Sequence, residues 1–437
     1  MKYFLTLIQL WVGFLSICAS YPKANIWIIP SVESPQVYRN YAQTSKVHLE
    51  MARGEVEHIQ LVFPSKVNEE YRFTFDRYLK GIQISARELK KMNGYYDALV
   101  PFKNQLKCTD TLTAVWITVQ CPSRVPVGKY HQTIKIEGSK HFTIQLDYNV
   151  HHTTIPLKSS IPITVGVENR CMTECLNDKE ADKERQRWVD FVLSYRMTPV
   201  FGTQITPERW QYEHSFSPWA WNDKRSIRLL NDRRYSCYML PFFTLSENEL
   251  ASLLCNIQKK GKLKESLFYI WDEPAYMEDY EQIKRKVNII RKYASDARIL
   301  TTFFCGPRNG PRKGDLYAVF DYLKHHIHVA TISLAPCKGN EEEVQHIRYK
   351  VPEGIDWWSY VCWQPGGNEP NFLLQMKGIQ QRAIMWRTWK NGSQGFLYWN
   401  CNIYHKRNPF TYITDMPHGY GILIYPGDIL GCKGPIA

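Results

Sequence analysis

The sequence predicts an α/β protein in which an all-β sandwich leads into a (β/α)8, TIM-type barrel, and a change of rhythm along the chain carries that reading. Up to about residue 157, short segments of alternating apolar and polar residues are separated by Pro, Gly and Asn, the pattern of paired strands with one face in a core. After Thr153-Thr154-Ile155-Pro156, short apolar runs alternate with helical patterns, as a parallel barrel requires. The 437 residues, 44% hydrophobic and 14% aromatic, suffice for two such units.

Residues 1–20 contain Lys2, an apolar stretch over 4–17 and the ending Cys18-Ala19-Ser20, which reads as a signal peptide. The mature chain then begins near Tyr21, with a sandwich domain over 21–157 and a catalytic domain over 158–437. Lipidation at Cys18 fits less well, because Ile17 stands where a small residue is wanted. No later run approaches the length of a membrane span, so the expectation is an exported chain, secreted or periplasmic.

In the first domain the expected strands are 47–50, 57–63, 113–120, 130–137 and 142–150. In the second they are 163–167, 199–201, 237–243, 267–271, 298–304, 328–334, 355–363 and 395–400, with helices over 181–195, 247–260, 277–293 and 371–390. The helix at 247–260 is the most sharply written: Ser246 and Glu249 form a capping box, Leu250, Leu253, Leu254 and Ile257 make one stripe, and Gly261 ends it. There is no internal repeat and no low-complexity segment.

Loss of the leader leaves eleven of the 12 cysteines, an odd number, so at least one thiol is free or pairs with another chain. Cys171 with Cys175, or Cys362 with Cys401, are candidate bridges; the alternative is that these are small buried hydrophobes. The net charge of +13 is spread among acidic residues, apart from runs such as Lys259-Lys260-Gly261-Lys262-Leu263-Lys264. With an export signal this argues against nucleic acid and leaves acidic glycans or a negatively charged surface as partners.

The chemistry concentrates at Asp272 and Glu273, directly after the apolar run 267–271 that forms the fourth expected barrel strand. Barrels of this type place reactive groups at the C-terminal ends of their strands. Successive strand side chains alternate faces, so adjacent carboxylates reach one pocket only where the strand breaks down. Pro274 marks a break, lacks a donor and biases Glu273 toward extended geometry. Two close carboxylates separate in pKa; a protonated Glu273 would donate to a glycosidic oxygen while ionised Asp272 stabilises positive charge. The alternative is an acidic turn capping the next helix.

Sugar sites need flat apolar faces. Trp358, Tyr360 and Trp363 at strand seven, and Tyr398, Trp399 and Asn400 at strand eight, are the candidate substrate-binding residues, with Trp363 and Trp399 favoured as last before their loops. Alternation puts only half of such residues at the barrel mouth, and Asn400 with Asn402 also reads as loop hydrogen bonding. No nucleophile elbow, phosphate loop or His-Glu-x-x-His helix is present, and His325, His326 and His328 read as solvated histidines rather than metal ligands. No metal or cofactor is expected.

On Tyr269-Ile270-Trp271-Asp272-Glu273-Pro274, Trp358-Ser359-Tyr360-Val361-Cys362-Trp363 with Pro370-Asn371, and Gly395-Phe396-Leu397-Tyr398-Trp399 leading to Tyr425-Pro426-Gly427 and Gly434-Pro435, the chain resembles glycoside hydrolase family 123 and its related catalytic domains. Ala52-Arg53-Gly54-Glu55 and Pro126-Val127-Gly128-Lys129-Tyr130 are similar to that group's sandwich domain. The resemblance implies retaining removal of terminal β-linked N-acetylgalactosamine, or N-acetylglucosamine, assisted by the substrate's acetamido group. Glu273 would be the acid/base, Asp272 the residue orienting the acetamido nitrogen, and Tyr360 a donor to the acetamido oxygen. The alternatives are a glycosidase of other specificity and a non-catalytic glycan-binding protein. The group usually continues past Gly434-Pro435-Ile436-Ala437 into a final helix, so a barrel without its eighth helix is expected.

Overall fold

The computed structural model describes residues 25–76, 81–206, 211–304, 306–310, 313–335, 346, 348–349, 351–404, 406–409 and 416–437. The leader read from residues 1–20 lies outside them, as do two of the cysteines after it, Cys305 and Cys337.

The first ten strands are β1 (Trp27–Pro30), β2 (Lys46–Arg53), β3 (Val56–Pro64), β4 (Glu70–Phe75), β5 (Gln83–Met92), β6 (Tyr95–Pro101), β7 (Gln105–Lys107), β8 (Leu112–Gln120), β9 (Gly128–Glu137) and β10 (His141–Thr154). They form two five-stranded sheets, ordered β1-β3-β8-β5-β6 and β2-β10-β9-β4-β7. Alternation explains the layering: Phe142, Ile144, Leu146, Tyr148 and Val150 of β10 are buried, and they share one core with Ile59, Leu61 and Phe63 of β3 and Val115, Ile117 and Val119 of β8. Strand β2 runs parallel to β10.

Nine further strands make one barrel-like sheet: β11 (Ile163–Glu168), β12 (Thr198–Thr206), β13 (Gln211–Ser215), β14 (Tyr238–Met239), β15 (Ser266–Trp271), β16 (Arg298–Phe303), β17 (Val329–Ser333), β18 (Asp356–Val361) and β19 (Gly395–Tyr398). Their order is β13-β12-β11-β19-β18-β17-β16-β15-β14, all neighbours parallel except the β12–β13 hairpin. The ring is nearly closed. Across the gap between β12 and β14, the Thr198 and Ser236 hydroxyls lie 2.8 Å apart, and the Phe216 amide donates to the Met239 carbonyl at 2.7 Å.

All eight expected barrel strands have a counterpart, but the third shrinks to Tyr238–Met239, because the Phe242 and Thr244 amides turn to the buried carboxylate of Glu213 instead of a strand neighbour. Inside the ring, Val200, Met239, Leu267, Leu300, Val329, Trp358 and Leu397 form one cluster. Outside it, Phe268, Ile270, Ile299, Ala330, Ile332 and Trp357 meet the helices.

Those helices are α1 (Asn169–Thr173), α2 (Asp178–Ser194), α3 (Lys224–Leu229), α4 (Glu247–Lys259), α5 (Met277–Arg291), α6 (Leu316–Leu323) and α7 (Gly378–Lys390). Helix α4 carries the Ser246–Glu249 capping box and buries Leu250, Leu253, Leu254 and Ile257. The helix expected from residue 371 starts only at Gly378, because the Asn371 amide is spent on the Cys362 and Pro365 carbonyls, at 3.0 and 2.9 Å. Among the described residues no α-helix follows β19; two short strands, β20 (Tyr425–Pro426) and β21 (Pro435–Ile436), pack there against Met92, Ala98 and Val100 of the first region. Among those residues, too, no helix is long and apolar enough to cross a membrane. The candidate bridging cysteines Cys171, Cys175, Cys362 and Cys401 are all free thiols.

Candidate active site

Strand β15 explains how neighbouring carboxylates share a pocket. Leu267 and Tyr269 point into the ring, and Phe268 and Ile270 point out to the helices. The pairing with β16 then slips: Tyr269 opposes Leu300, while Trp271 opposes Thr301, so Ile270 is an extra residue. This bulge sends Trp271 outward with Ile270 and returns Asp272 to the inside. Glu273 follows at φ +44°, in the left-handed region that L residues seldom occupy. The extended geometry expected ahead of Pro274 is therefore absent, because tertiary hydrogen bonds hold Glu273 from both ends.

Thr302 of β16 supplies one of them. Its hydroxyl accepts the Glu273 amide proton at 2.9 Å and donates to Asp272 Oδ1 at 2.8 Å. The Tyr269 hydroxyl donates to the same Oδ1 at 2.7 Å. A hydroxyl has one proton, so Asp272 Oδ1 receives two donors, while Oδ2 has no partner among the described residues. Tyr269 is in turn fixed by the His214 ring of β13, stacked at 4.3 Å and 14°. Burial lowers His214 to about 3, so this support is a neutral imidazole.

The second tie on Glu273 is Tyr360 of β18, whose hydroxyl donates to Oε1. Glu273 reaches solvent through the cavity, yet crowding by protein atoms, and then the charge of Asp272, raise its carboxyl to about 7. The Tyr360 bond and Arg308 pull the other way. Near neutral pH Glu273 is thus still partly protonated, where an ordinary glutamate would have lost its proton. Both carboxylates line a cavity of about 640 Å³ with Tyr212, Phe243, Trp271 and Tyr276 among its walls. Of its other carboxylates, Glu278 accepts from the Asn309 amide and Asp279 caps the Ala275 and Tyr276 amides. A proton donor beside a second carboxyl held in place at Oδ1, in an aromatic cavity, is equipment for cleaving an acetal.

The catalytic-domain model of glycoside hydrolase 123 matches residues 183–433, more than half of the chain. The chain belongs to glycoside hydrolase family 123. This family 123 protein is similar in fold to a solved family 123 glycoside hydrolase from Clostridium perfringens, described in connection with glycolipid glycan hydrolysis: TM-score 0.65, 14% identity, 94% of this chain and 85% of that one. A family 2 glycosyl hydrolase from Bacteroides cellulosilyticus (TM-score 0.31, 10% identity, 80% and 44% coverage) and a β-D-glucuronidase from Dictyoglomus thermophilum (0.30, 9%, 87% and 68%) are too distant to carry an argument. No curated protein matches the sequence.

In this glycoside hydrolase, the residues named from sequence are distributed unevenly. Asp272, Glu273 and Tyr360 meet at one point. Trp358 is inside the ring but 2% exposed, in the layer below the mouth. Tyr398 faces the helix layer, edge-on to Phe372 at 5.1 Å, and its hydroxyl accepts the Gly421 amide. Asn400 closes a loop by accepting the Asn402 amide at 3.0 Å, as the loop alternative supposed. Trp399 stacks on Tyr420 at 4.6 Å, and Trp363 stands 43% exposed past β18. His328 accepts the Ile299 amide, away from the carboxylates, and among the described residues no group of His, Cys, Asp and Glu is arranged to hold a metal. Tyr269, Thr302 and His214 were not singled out from sequence; only Tyr269, two residues inside the strand from Trp271, carried a local signal through its period-two register.

Proposed function

We propose that this family 123 hydrolase removes terminal β-linked N-acetylhexosamine, N-acetylgalactosamine in preference to N-acetylglucosamine, with retention and with the substrate's acetamido group as nucleophile. The observation carrying the reading is the division of labour in the pair: Glu273 raised to about 7, and Asp272 tied at Oδ1 with Oδ2 left over. Of the other carboxylates that line the cavity, Glu278 is engaged by Asn309 and Asp279 by two backbone amides, which supports a nucleophile supplied by the substrate.

In the first step Glu273 gives its proton to the glycosidic oxygen as the acetamido oxygen attacks the anomeric carbon and the aglycone leaves. Asp272 Oδ2 accepts the acetamido N–H and balances the charge of the oxazolinium ring. In the second, water attacks the same carbon from the vacated side, Glu273 takes its proton, and the ring reopens. Two inversions give retention. Tyr360, engaged with Glu273 Oε1, leaves the acid proton to Oε2; the resemblance implies a second role for it, as donor to the acetamido oxygen of a bound substrate. We read the nine-stranded sheet as a (β/α)8 variant, with domains at 21–157 and 158–437, and the chain as exported.

Chromogenic β-N-acetylgalactosaminide, β-N-acetylglucosaminide and β-galactoside substrates test the reading on wild type and Asp272→Asn. Cleavage of the acetamido sugars alone, lost in the variant, supports it; equal cleavage of the plain galactoside sinks acetamido assistance.

A further inference from the structure

Lys286 is a cation of the catalytic cavity that the chemistry above does not use. It projects from α5 with its ammonium 5.1 Å from the Phe243 ring centroid and 5.8 Å from that of Trp271, and all three line the cavity that holds Asp272 and Glu273. The lysines on either side of it in the chain are paired: Lys284 with Glu281 at 3.4 Å, and Lys292, just past the helix, with Glu247 at 2.7 Å. Among the described residues no carboxylate lies within ion-pair distance of Lys286. The nearby acids of the cavity are committed, Glu278 to Asn309 and Asp279 to two backbone amides. Half-burial against the rings pushes the Lys286 ammonium below its ordinary range, so water is serving it poorly.

An ammonium held between aromatic faces, short of water and of a counter-ion, is a strong donor to an incoming anion, because a charge-assisted hydrogen bond replaces solvation already lost. We propose that Lys286 forms an anion subsite of this cavity and takes a sulfate or carboxylate group that the glycan carries close to the bond cut at Glu273. This rests on the N-acetylhexosaminidase reading and deepens it, from an acetamido sugar to an acidic glycan. Phe243 and Trp271 supply the walls that keep the Lys286 stem in place and carry the apolar face of the sugar. The shared chemistry is an oxyanion; whether it sits on the hexosamine or on the next sugar decides which probe binds best.

Calorimetric titration of the full chain with N-acetylgalactosamine, its 4-sulfate, its 6-sulfate, and a disaccharide joining it to a uronic acid distinguishes the cases. At least one anionic sugar should bind about tenfold more tightly than the neutral one, as one charge-assisted hydrogen bond predicts. That ratio should fall toward one in Lys286→Gln and persist in Lys286→Arg. A ratio near one for every anionic sugar on wild type, or a preference that survives Lys286→Gln, overturns the subsite. Hydrolysis of the neutral aryl N-acetylgalactosaminide separates the two readings: cleavage without any charge preference ends the subsite alone, and no cleavage ends the hexosaminidase reading.

Discussion

Thr302 Oγ1 stands 2.8 Å from Asp272 Oδ1 while accepting the amide of Glu273, so one hydroxyl on β16 holds both acidic residues that follow β15. Thr302→Val keeps the shape and removes the hydrogen bonds. It should lower kcat by about 100-fold, the scale of a misplaced catalytic group, with a much smaller change in KM. Thr302→Ser should retain most activity. Steady-state kinetics on an acetamido substrate check this; equal loss in both variants would point to packing instead of positioning.

In the proposed mechanism the raised carboxyl of Glu273 sets the alkaline limb of activity. A proton donor is useful only while protonated, so kcat/KM should fall as pH rises through about 7. Glu273→Gln should lose about a hundred- to ten-thousand-fold in kcat for substrates with poor leaving groups. Stability moves in the same direction. A carboxyl raised from 4.5 to about 7 by folding favours the folded state at low pH, and that contribution is lost as pH climbs between those two values. The thermal midpoint of Glu273→Gln should therefore decline less across that window than that of wild type, as scanning calorimetry would show.

Tyr360→Phe removes the donor that holds the Glu273 carboxylate form. That bond lowers the Glu273 pKa, so its loss should shift the alkaline limb upward while kcat falls by about tenfold. A pH–rate profile with a limb unmoved or shifted downward would contradict the assignment.

Gly395 lets β19 lie against Trp358: a Cβ there would come 2.2 Å from the indole. Gly395→Ala should cost about 1–3 kcal/mol of stability, by overpacking the inside of the ring, and lower the midpoint of denaturant unfolding. A neutral result would mean that Trp358 has room to move.

Much of the frame was legible because it is local. The apolar runs of the barrel, the Ser246 cap and stripe of α4, and the alternation of β10 are written in residues a few positions apart, and the structure has them. Other elements were hidden by composition. Strand β5, with Arg87, Glu88, Lys90 and Lys91 in its second half, lacks a strand-like text, although Asn93-Gly94, at φ 49° and 86°, is the turn signal that joins it to β6. Strand β13 is too polar to announce itself and forms by pairing with β12.

The sequence by itself determined where the carboxylate pair stands, at a strand end ahead of a proline, and the chemistry that two adjacent acids allow. Tertiary structure decided their orientation and the raised pKa of Glu273. The bulge at Ile270 and the left-handed Glu273 are set by partners far along the chain: Thr302 lies 29 positions from Glu273, and Tyr360 lies 87. The physical reason is range: side-chain period and capping act over a turn or a pleat, whereas hydrogen bonding and desolvation depend on which distant groups the fold brings within about 3 Å.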